Sequence, residues 1–432
     1  MGGAGRALAR VRSRRRRSPL KILDIAEFYS ERGGGIRSHL TTRGHFLCQL
    51  GHDHAVIAPG PHDGATALDA ITAPGSRPGE PGSRVGSARV LRVAGPTLPY
   101  DRTYHLLGRL DKIRSLVRAE RPDILEAHSP YLAAAAVVGS GREAAPVRTA
   151  FWHADHLGTY VAPLLDRWVG RRAGRRAIEA LHVGVRALLA PFDATFTAGA
   201  AQGESLRRAG VPNVFVVPFG VDSRVFRPDA RSAEARRRLA SPGTDCVLVG
   251  VGRFAAEKRW DVVIDAFNRV RARRPAVLAL FGDGPERARV ERSAPPGVVF
   301  PGFVRDRAAL AAALASADVL VHGCPCETFG LAVAEAVACG LPVVVPDAGG
   351  AVEAADPSCS ERYLSGDAEA CAMAIERVLA RRGPELSRRA AEAAARVPTP
   401  ERHFRRVLAV YDDLLRDRRA RTRGQRFNGT PL

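Results

Sequence analysis

The strongest constraint on the fold is a repeated pattern of a short β-rich run, a glycine-containing turn and a helical stretch. The pattern occurs in two series, and it predicts parallel sheets covered by helices on both faces. The first series predicts strands at residues 21–28, 54–58, 89–94, 124–127, 147–152, 194–197 and 214–217. The second predicts strands at residues 246–251, 277–281, 298–301, 319–322, 343–346 and 363–364. We therefore expect an α/β protein with two doubly wound domains that face a central cleft.

Proline, glycine and charge indicate the limits of these domains. A proline-bounded connector separates the two series of strands, and a helical segment is expected at 384–418. Residues 59–87 are rich in proline, glycine and serine, which predicts a surface loop inside the first domain. The predicted units are a basic tail at 1–19, a first domain at 20–220, a second domain at 221–398, a final helix at 399–418 that crosses back to the first domain, and a basic tail at 419–432.

Two basic tails account for most of the formal charge of +20 over 432 residues. Residues 1–18 hold seven arginines and no acid, and residues 416–432 hold six arginines and one aspartate. The 397 residues between them carry +8, a modest excess for a nucleic-acid-binding surface. Such tails occur both as solvated ends and as tethers to membranes or polyanions. We expect no specific nucleic-acid partner.

Cysteine usage and hydropathy predict a cytoplasmic protein. The seven cysteines are scattered and odd in number, which is typical of reduced thiols. Their one cluster, in the segment from His322 through Cys324 to Cys326, has no second ligand pair at zinc spacing nearby, so we expect an irregular loop there and no metal. No apolar run reaches the roughly 18 residues of a spanning helix. The basic N-terminus leads into a predicted strand, which is unlike a signal peptide.

The most specific motif is a pair of glutamates eight residues apart, Glu327 and Glu335, after the predicted strand at 319–322. If a helix begins at Glu327, both carboxylates lie on nearly one face of it. The amides of Phe329, Gly330 and Leu331 would then face a ligand at the helix N-terminus. An acidic residue in a first turn is an ordinary partner of the helix dipole, which alone would explain Glu327. It does not explain Glu335, whose neighbours are apolar.

Two cations follow the first strand of the second series. Arg253 and Lys258 are five residues apart, and both can approach one diphosphate. A solvated basic pair is the alternative. It is weakened because Lys258 is one of only three lysines among the 65 basic residues.

A glycine run and two histidines lie at strand ends of the first series. Gly33, Gly34 and Gly35 precede a helix, and they would let a phosphate or sugar hydroxyl approach the backbone. A tight strand-to-helix turn would also favour glycine. His128 and His153 end successive strands, so they are candidates for the cleft, although histidines at strand ends also serve as structural hydrogen-bonding groups.

In this combination and order, the motifs resemble those of the retaining glycosyltransferases of the GT-B fold, in the large family with an E-x7-E motif. The resemblance covers residues 20–415. Besides the features above, it rests on the segments at 218–226, 282–285 and 301–303. The nearest likeness is to GDP-mannose-dependent phosphatidylinositol mannosyltransferases. Residues 398–401 depart from the family pattern, which often has an aromatic-rich turn before the final helix.

The resemblance implies a role for each residue of the second domain. It implies that Arg253 and Lys258 bind the nucleotide diphosphate, and that Glu335 holds the ribose hydroxyls. It also implies that Glu327 contacts hydroxyls of the donor sugar, close to the amides at 329–331.

For the first domain, the resemblance places His153 beside the reacting sugar and Gly34 and Gly35 against the diphosphate. His128 is expected in the same cleft, on the acceptor side. Fixed cations and helix-end amides can stabilise the departing diphosphate, so we expect neither a metal nor another cofactor.

The resulting expectation is a retaining hexosyltransferase that takes mannose from GDP-mannose to a hydroxyl acceptor such as a lipid or lipid-linked glycan. The alternatives are a UDP-sugar-dependent transferase with a soluble acceptor and, in another class, a polyanion- or nucleic-acid-binding protein.

A basic stretch from Arg167 to Arg176 bears on the acceptor. Arg167, Arg171 and Arg175 recur every four residues, and Arg172 and Arg176 lie beside them, next to Trp168 and Val169. A helix here would present one cationic face. That face is either simply solvated or in reversible contact with anionic lipid at the inner side of the membrane.

Overall fold

The β-rich runs of the sequence form two separate sheets. The computed structural model describes residues 18–30, 35–68, 86–98, 103–153, 159, 161–240 and 242–427. The strands of the first sheet are β1 (Lys21–Ile25), β2 (Asp53–Gly60), β3 (Gly64–Ala67), β4 (Ala88–Ala94), β5 (Ile124–Ala127), β6 (Val147–Trp152), β7 (Ala194–Thr197) and β8 (Val214–Val216). Those of the second are β9 (Cys246–Val251), β10 (Ala276–Phe281), β11 (Val298–Gly302), β12 (Val319–Val321), β13 (Val343–Pro346) and β14 (Glu361–Tyr363).

The strand order is that of two open, doubly wound sheets. The first sheet runs β3-β4-β2-β1-β5-β6-β7-β8, and the second runs β11-β10-β9-β12-β13-β14. Every neighbouring pair is parallel except β3 and β4, which are antiparallel. The predicted α/β architecture is therefore confirmed. The domain limits at 19, 220, 398 and 418 stay predictions.

Helices connect the strands and cover both faces of the sheets. In the first half of the chain they are α1 (Gly35–Gln49), α2 (Leu110–Glu120), α3 (Leu132–Gly139), α4 (Ala162–Val169), α5 (Arg171–Leu189) and α6 (Ala200–Arg208). In the second half they are α7 (Ala233–Leu239), α8 (Trp260–Arg271), α9 (Arg287–Ser293), α10 (Arg307–Ala315), α11 (Leu331–Ala338), α12 (Ala351–Ala354), α13 (Ala368–Ala380), α14 (Pro384–Arg396) and α15 (Pro400–Phe427). None of these described helices is both long enough and apolar enough to span a bilayer.

The C-terminal helix α15 packs against the first sheet. Its Phe404, Val407 and Tyr411 are buried in one apolar cluster with Ile22 of β1 and Phe151 of β6. The chain thus passes between the sheets twice, and the two passages touch where Val221 N donates to Pro398 O at 2.8 Å. A Cβ on Gly220 would lie 2.1 Å from the Thr399 carbonyl carbon, so only glycine fits at this crossing.

Four details differ from the sequence predictions. Residues 59–87 are not one loop, because β2 extends to Gly60 and β3 follows; residues 69–85 lie outside the described part. The segment 384–418 is two helices separated at 397–399. Residues 419–427, predicted as a tail, continue α15, since arginine is a good helix former. The basic stretch at 167–176 is not one helix, because Gly170 with φ of +80° separates α4 from α5.

Candidate active site

His128 and His153 meet at the carboxyl edge of the first sheet. They follow the adjacent parallel strands β5 and β6, and their rings join through Nδ1 of His128 and Nε2 of His153 at 2.7 Å. The His153 ring stacks on Phe151, with 4.5 Å between ring centroids, and lies 5.8 Å from the ring of Phe219. The sequence predicts one cleft for both histidines, and in the structure their rings are in contact. Their part in the reaction stays a prediction.

A buried network of charged groups lies beneath this histidine pair. Arg43 of α1 forms ion pairs with Asp24, at 3.3 Å, and with Glu126. Tyr411 of α15 donates to Glu126 at 2.6 Å and accepts from Arg43 at 2.7 Å. Nε2 of His128 lies 3.4 Å from a carboxylate oxygen of both Asp24 and Glu126. The network therefore connects the C-terminal helix to the cleft through His128.

Burial and neighbouring charge set the protonation of these groups. Burial lowers the pKa of His153 well below its usual value, and the neighbouring His128 lowers it further, so the His153 ring is neutral at physiological pH. Burial alone would raise the pKa of Asp24, but Arg43 and the histidines lower it well below its usual value. The site thus holds the ionised Asp24 carboxylate and the neutral His153 imidazole, with the His128 ring between them.

Lys258 and Glu327 form an ion pair at the carboxyl edge of the second sheet. His322, which follows β12, lies 3.6 Å from the same Glu327 oxygen. Burial alone would lower the pKa of Lys258 and raise that of Glu327. The charge of each group outweighs burial at the other, so the pKa of Lys258 is raised and that of Glu327 is lowered. Burial lowers the pKa of His322 to about 4, so this ring is neutral. Lys258 therefore keeps its positive charge in a partly buried cleft.

The two glutamates do not share a helix face, contrary to the prediction. Helix α11 begins at Leu331, and Gly330 before it has φ of +81°, so Glu327 lies in the preceding loop. The amides of Phe329 and Gly330 accordingly precede the helix. Glu335 lies within α11, is 5% exposed, and pairs with Arg307. Burial raises the pKa of Glu335, and Arg307 offsets part of that rise.

Arg253 extends from the end of β9 towards the first domain. Its guanidinium lies over the ring of Tyr104, with 5.5 Å to the ring centroid. The preceding Gly252 lies beside both Trp260 and Lys258, because a Cβ there would be 3.3 Å from the Trp260 ring and 3.6 Å from the Lys258 side chain. The structure thus places both predicted cations at the same strand end.

Direct contacts join the two domains across the cleft. The Thr328 hydroxyl donates to the main-chain carbonyl of His153. The Glu353 carboxylate accepts from the amides of Ala200 and Ala201, at 2.6 and 2.7 Å, at the start of α6. A negative charge at a helix N-terminus is favourable, so this second contact stabilises the approach of the domains. The loop that holds Glu327 and Thr328 therefore faces the histidine pair.

The predicted glycine loop is described only in part. Gly33 and Gly34 lie outside the described residues. Gly35 opens α1, and a Cβ there would meet no atom of the described residues within 4 Å.

Comparisons with known proteins agree with this geometry. The profile of "Glycosyltransferase Family 4" matches residues 33–225, and that of "Glycosyl transferases group 1" matches residues 245–381. The GDP-mannose-dependent alpha-(1-6)-phosphatidylinositol dimannoside mannosyltransferase of Mycobacterium tuberculosis is 32% identical over 398 residues, which are 90% of this chain and 96% of that relative. The chain belongs to glycosyltransferase family 4. A GDP-mannose-dependent alpha-mannosyltransferase of Mycolicibacterium smegmatis is 30% identical over 84% of this chain and 90% of its own length.

Solved structures show that this family 4 glycosyltransferase has the GT-B fold. Sucrose-phosphate synthase from Thermosynechococcus elongatus superposes with a TM-score of 0.69 at 19% identity, covering 92% of this chain and all of that one. Anabaena HepE in complex with UDP and glucose gives a TM-score of 0.65 at 16% identity, over 91% of this chain and 99% of that one. The predicted fold and glycosyltransferase class are confirmed.

Among the described residues, three groups of side chains in or beneath the cleft come close enough to share an ion. In the group of Asp24, Glu126 and His128, both carboxylates already pair with Arg43. Ring nitrogens of His39, His128 and His153 all lie within 4.8 Å of one another. Ligand atoms of His322, Cys324 and Glu327 also do, but the Lys258 ammonium already occupies the Glu327 carboxylate. The expectation of a metal-free reaction stays a prediction.

Sequence reasoning missed several residues of this glycosyltransferase site. Arg43 and Tyr411 are separated by 368 positions, and only the folded chain brings them together. Arg307 appears in the sequence as one of many arginines, and nothing in the pattern marks it as the partner of Glu335. Thr328 lies between the two glutamates of the motif, but the motif itself does not indicate a role for it. Thr328 and His153 are 175 positions apart in the sequence, so their contact cannot be predicted from the local pattern.

Proposed function

We propose that this family 4 glycosyltransferase transfers mannose, with retention, from GDP-mannose to a hydroxyl of a phosphatidylinositol mannoside. Two kinds of observation support the proposal. The relatives that match most of the chain are named as GDP-mannose-dependent mannosyltransferases, one of them acting on a phosphatidylinositol dimannoside. The cleft pairs the Lys258 ammonium of the second domain with the neutral His153 ring of the first.

In this proposal the second domain holds the donor. Arg253 and Lys258 bind the diphosphate and stabilise the charge that develops as the sugar–phosphate bond breaks. Glu335 accepts from the ribose hydroxyls, and Glu327 accepts from hydroxyls of the mannose. Lys258 is suited to this role because the Glu327 carboxylate raises the pKa of the Lys258 ammonium above its usual value. The ammonium therefore stays charged when it is buried.

The first domain holds the acceptor and covers the reacting sugar. The neutral His153 hydrogen-bonds to the mannose, while Gly34 and Gly35 lie against the diphosphate. A phosphate oxygen of the leaving group takes the acceptor proton on the same face of the sugar, which accounts for retention without a protein nucleophile. Fixed cations supply the charge stabilisation, and no metal takes part.

The acceptor is reached at the cytoplasmic face of a membrane, to which the protein binds reversibly. Support comes from α4 and α5, where Trp168 is 78% exposed and Val183 is 55% exposed. The same helices also carry exposed arginines, among them Arg172 and Arg176. Such a surface gains up to about 1 kcal/mol per basic residue near anionic lipid.

Vesicle co-sedimentation tests the membrane part of the proposal. Changing Arg171, Arg172, Arg175 and Arg176 to glutamine should sharply reduce binding to anionic vesicles at physiological salt. The matched control changes Arg381, Arg382, Arg388 and Arg389 of the second domain, which alters the net charge equally. Equal loss in both variants would show that only total charge matters. If the protein without its two basic tails does not bind the vesicles at all, that result would favour a soluble acceptor.

The assignment of the donor site rests on the Lys258–Glu327 pair beside Arg253. This assignment is tested by measuring hydrolysis and transfer with a panel of GDP- and UDP-sugars. GDP-mannose should be the preferred donor, and Lys258→Gln should reduce turnover by about 10²-fold. Lys112→Gln on the exposed face of α2 is the control and should leave turnover unchanged. Preference for a UDP-sugar would show that the protein is a UDP-sugar-dependent transferase and not a GDP-mannose-dependent one.

A further inference from the structure

A pair of cysteines in the donor loop has no part in the proposed transfer. Cys324 and Cys326 flank Pro325 in the turn between β12 and α11, and their Sγ atoms are 3.6 Å apart. Cys324 is 2% exposed, whereas Cys326 is half-buried. A disulfide needs an S–S distance of about 2.05 Å, so the two sulfurs must approach by roughly 1.5 Å.

This pair differs chemically from the other free thiols. The Cys324 hydrogen bond lowers the pKa of Cys326 to about 7, and it raises the pKa of Cys324 itself. Either thiol can donate to the other sulfur at this distance. Burial raises the pKa of each of the other five thiols to about 11 or 12: Cys48, Cys246, Cys339, Cys359 and Cys371. Because the thiolate is the nucleophilic form, Cys326 is the thiol that reacts first with an oxidant.

We propose that Cys324 and Cys326 form a reversible oxidation site, at which a peroxide closes a disulfide and thereby stops sugar transfer. The Cys326 thiolate attacks hydrogen peroxide; an S–O bond forms, the O–O bond breaks, and water leaves after protonation. The Cys324 sulfur then attacks the Cys326 sulfenic acid. The S–S bond forms, and the hydroxide leaves with the Cys324 thiol proton as a second water. The two thiols lose two electrons together, and the peroxide gains them.

The consequence for transfer follows from the neighbouring residues. Glu327 is the next residue after Cys326, and its carboxylate pairs with Lys258. The loop is closely packed at both ends, because a Cβ on Gly323 would lie 2.6 Å from the Lys258 carbonyl oxygen and a Cβ on Gly349 would lie 2.5 Å from the Pro325 carbonyl oxygen. Closing the disulfide therefore strains this packing, and we expect the backbone at Cys326 and the adjoining Glu327 to shift. A displacement of about 1 Å in a catalytic group can reduce turnover by about 10²-fold.

The test oxidises the reduced full-length chain with hydrogen peroxide and follows thiols and activity together. Two thiols should disappear, the peptide that holds both cysteines should lose two hydrogens in mass, and turnover should fall by at least about ten-fold. Dithiothreitol should restore both. Cys48→Ser, which removes the other half-buried thiol, should respond like the parent protein.

Variants of the pair separate this site from general oxidative damage. Cys324→Ser and Cys326→Ser should each fail to form the disulfide, and Cys326→Ser should keep its activity through the peroxide treatment. Retention of both thiols in the parent protein would overturn the proposal. Equal reversible inactivation of the parent and Cys326→Ser would overturn it as well. The thiol measurement requires no substrate, so it stands whether or not GDP-mannose is the donor.

Discussion

The Thr328 hydroxyl donates a hydrogen bond across the cleft to the main-chain carbonyl of His153. The two residues come from different domains, and each lies beside a group assigned to the reaction, Glu327 on one side and the His153 ring on the other. This contact is tight, because a Cβ on Gly199 of the first domain would lie 2.3 Å from the Thr328 carbonyl oxygen. Assembly of the site is therefore coupled to the approach of the two domains.

The Thr328 contact predicts a kinetic effect that is modest and specific. Thr328→Val removes the hydroxyl but keeps the shape, and we expect kcat/KM to fall by about three- to ten-fold, the value of one ordinary hydrogen bond. Thr328→Ser retains the donor and should stay close to the parent protein. Identical steady-state kinetics for the valine variant would show that the contact does not help to form the productive cleft.

Replacing the two glutamates of the motif should change different kinetic constants. Glu327→Ala should reduce kcat by about 10²-fold, because the proposed function places Glu327 at the reacting sugar and its carboxylate pairs with Lys258. Glu335→Ala should mainly raise the KM for the donor, since the proposed function places Glu335 at the ribose of the nucleotide. Glu291→Ala, on the exposed face of α9, is the control. If kcat of Glu327→Ala with the native donor is unchanged, Glu327 does not have the proposed role at the reacting sugar.

The buried network predicts large changes in stability. Glu126→Gln leaves Arg43 with less compensating charge and should lower the free energy of unfolding by about 3–5 kcal/mol. Tyr411→Phe removes the hydroxyl that bonds to both Glu126 and Arg43, and it should cost about 1–3 kcal/mol. Urea unfolding measures both values. A neutral effect of Tyr411→Phe would mean that α15 is held by its apolar contacts alone.

The histidines predict how stability depends on pH. Burial lowers the pKa of His403 to about 4 from its usual 6.5, so between these values the unfolded chain binds more protons. His403 therefore costs stability as the pH falls below about 6.5, by up to roughly 3 kcal/mol. In urea unfolding at neutral and mildly acidic pH, His403→Gln should lose less stability than the parent protein. Parallel pH curves would contradict this assignment.

The sequence predicted the two sheets well because parallel, buried strands appear as short apolar runs with turns between them. It missed β3 because Gly64–Ala67 has no alternating apolar pattern and is fully exposed. It placed the start of α11 four residues early, since Glu327 resembles an ordinary first-turn acid while the left-handed Gly330 marks the true start. Contacts such as Arg43 with Tyr411 depend on folding and have no local signal.

The most direct test of the account is the structure of the product. The purified chain is incubated with GDP-mannose, vesicles that contain a phosphatidylinositol mannoside, and excess chelator, and the lipid product is analysed by mass spectrometry and NMR. We expect one added hexose in α linkage, with the configuration of the donor retained and the rate unaffected by the chelator. A β-linked product, a strict requirement for a divalent ion, or transfer only from a UDP-sugar would contradict the account.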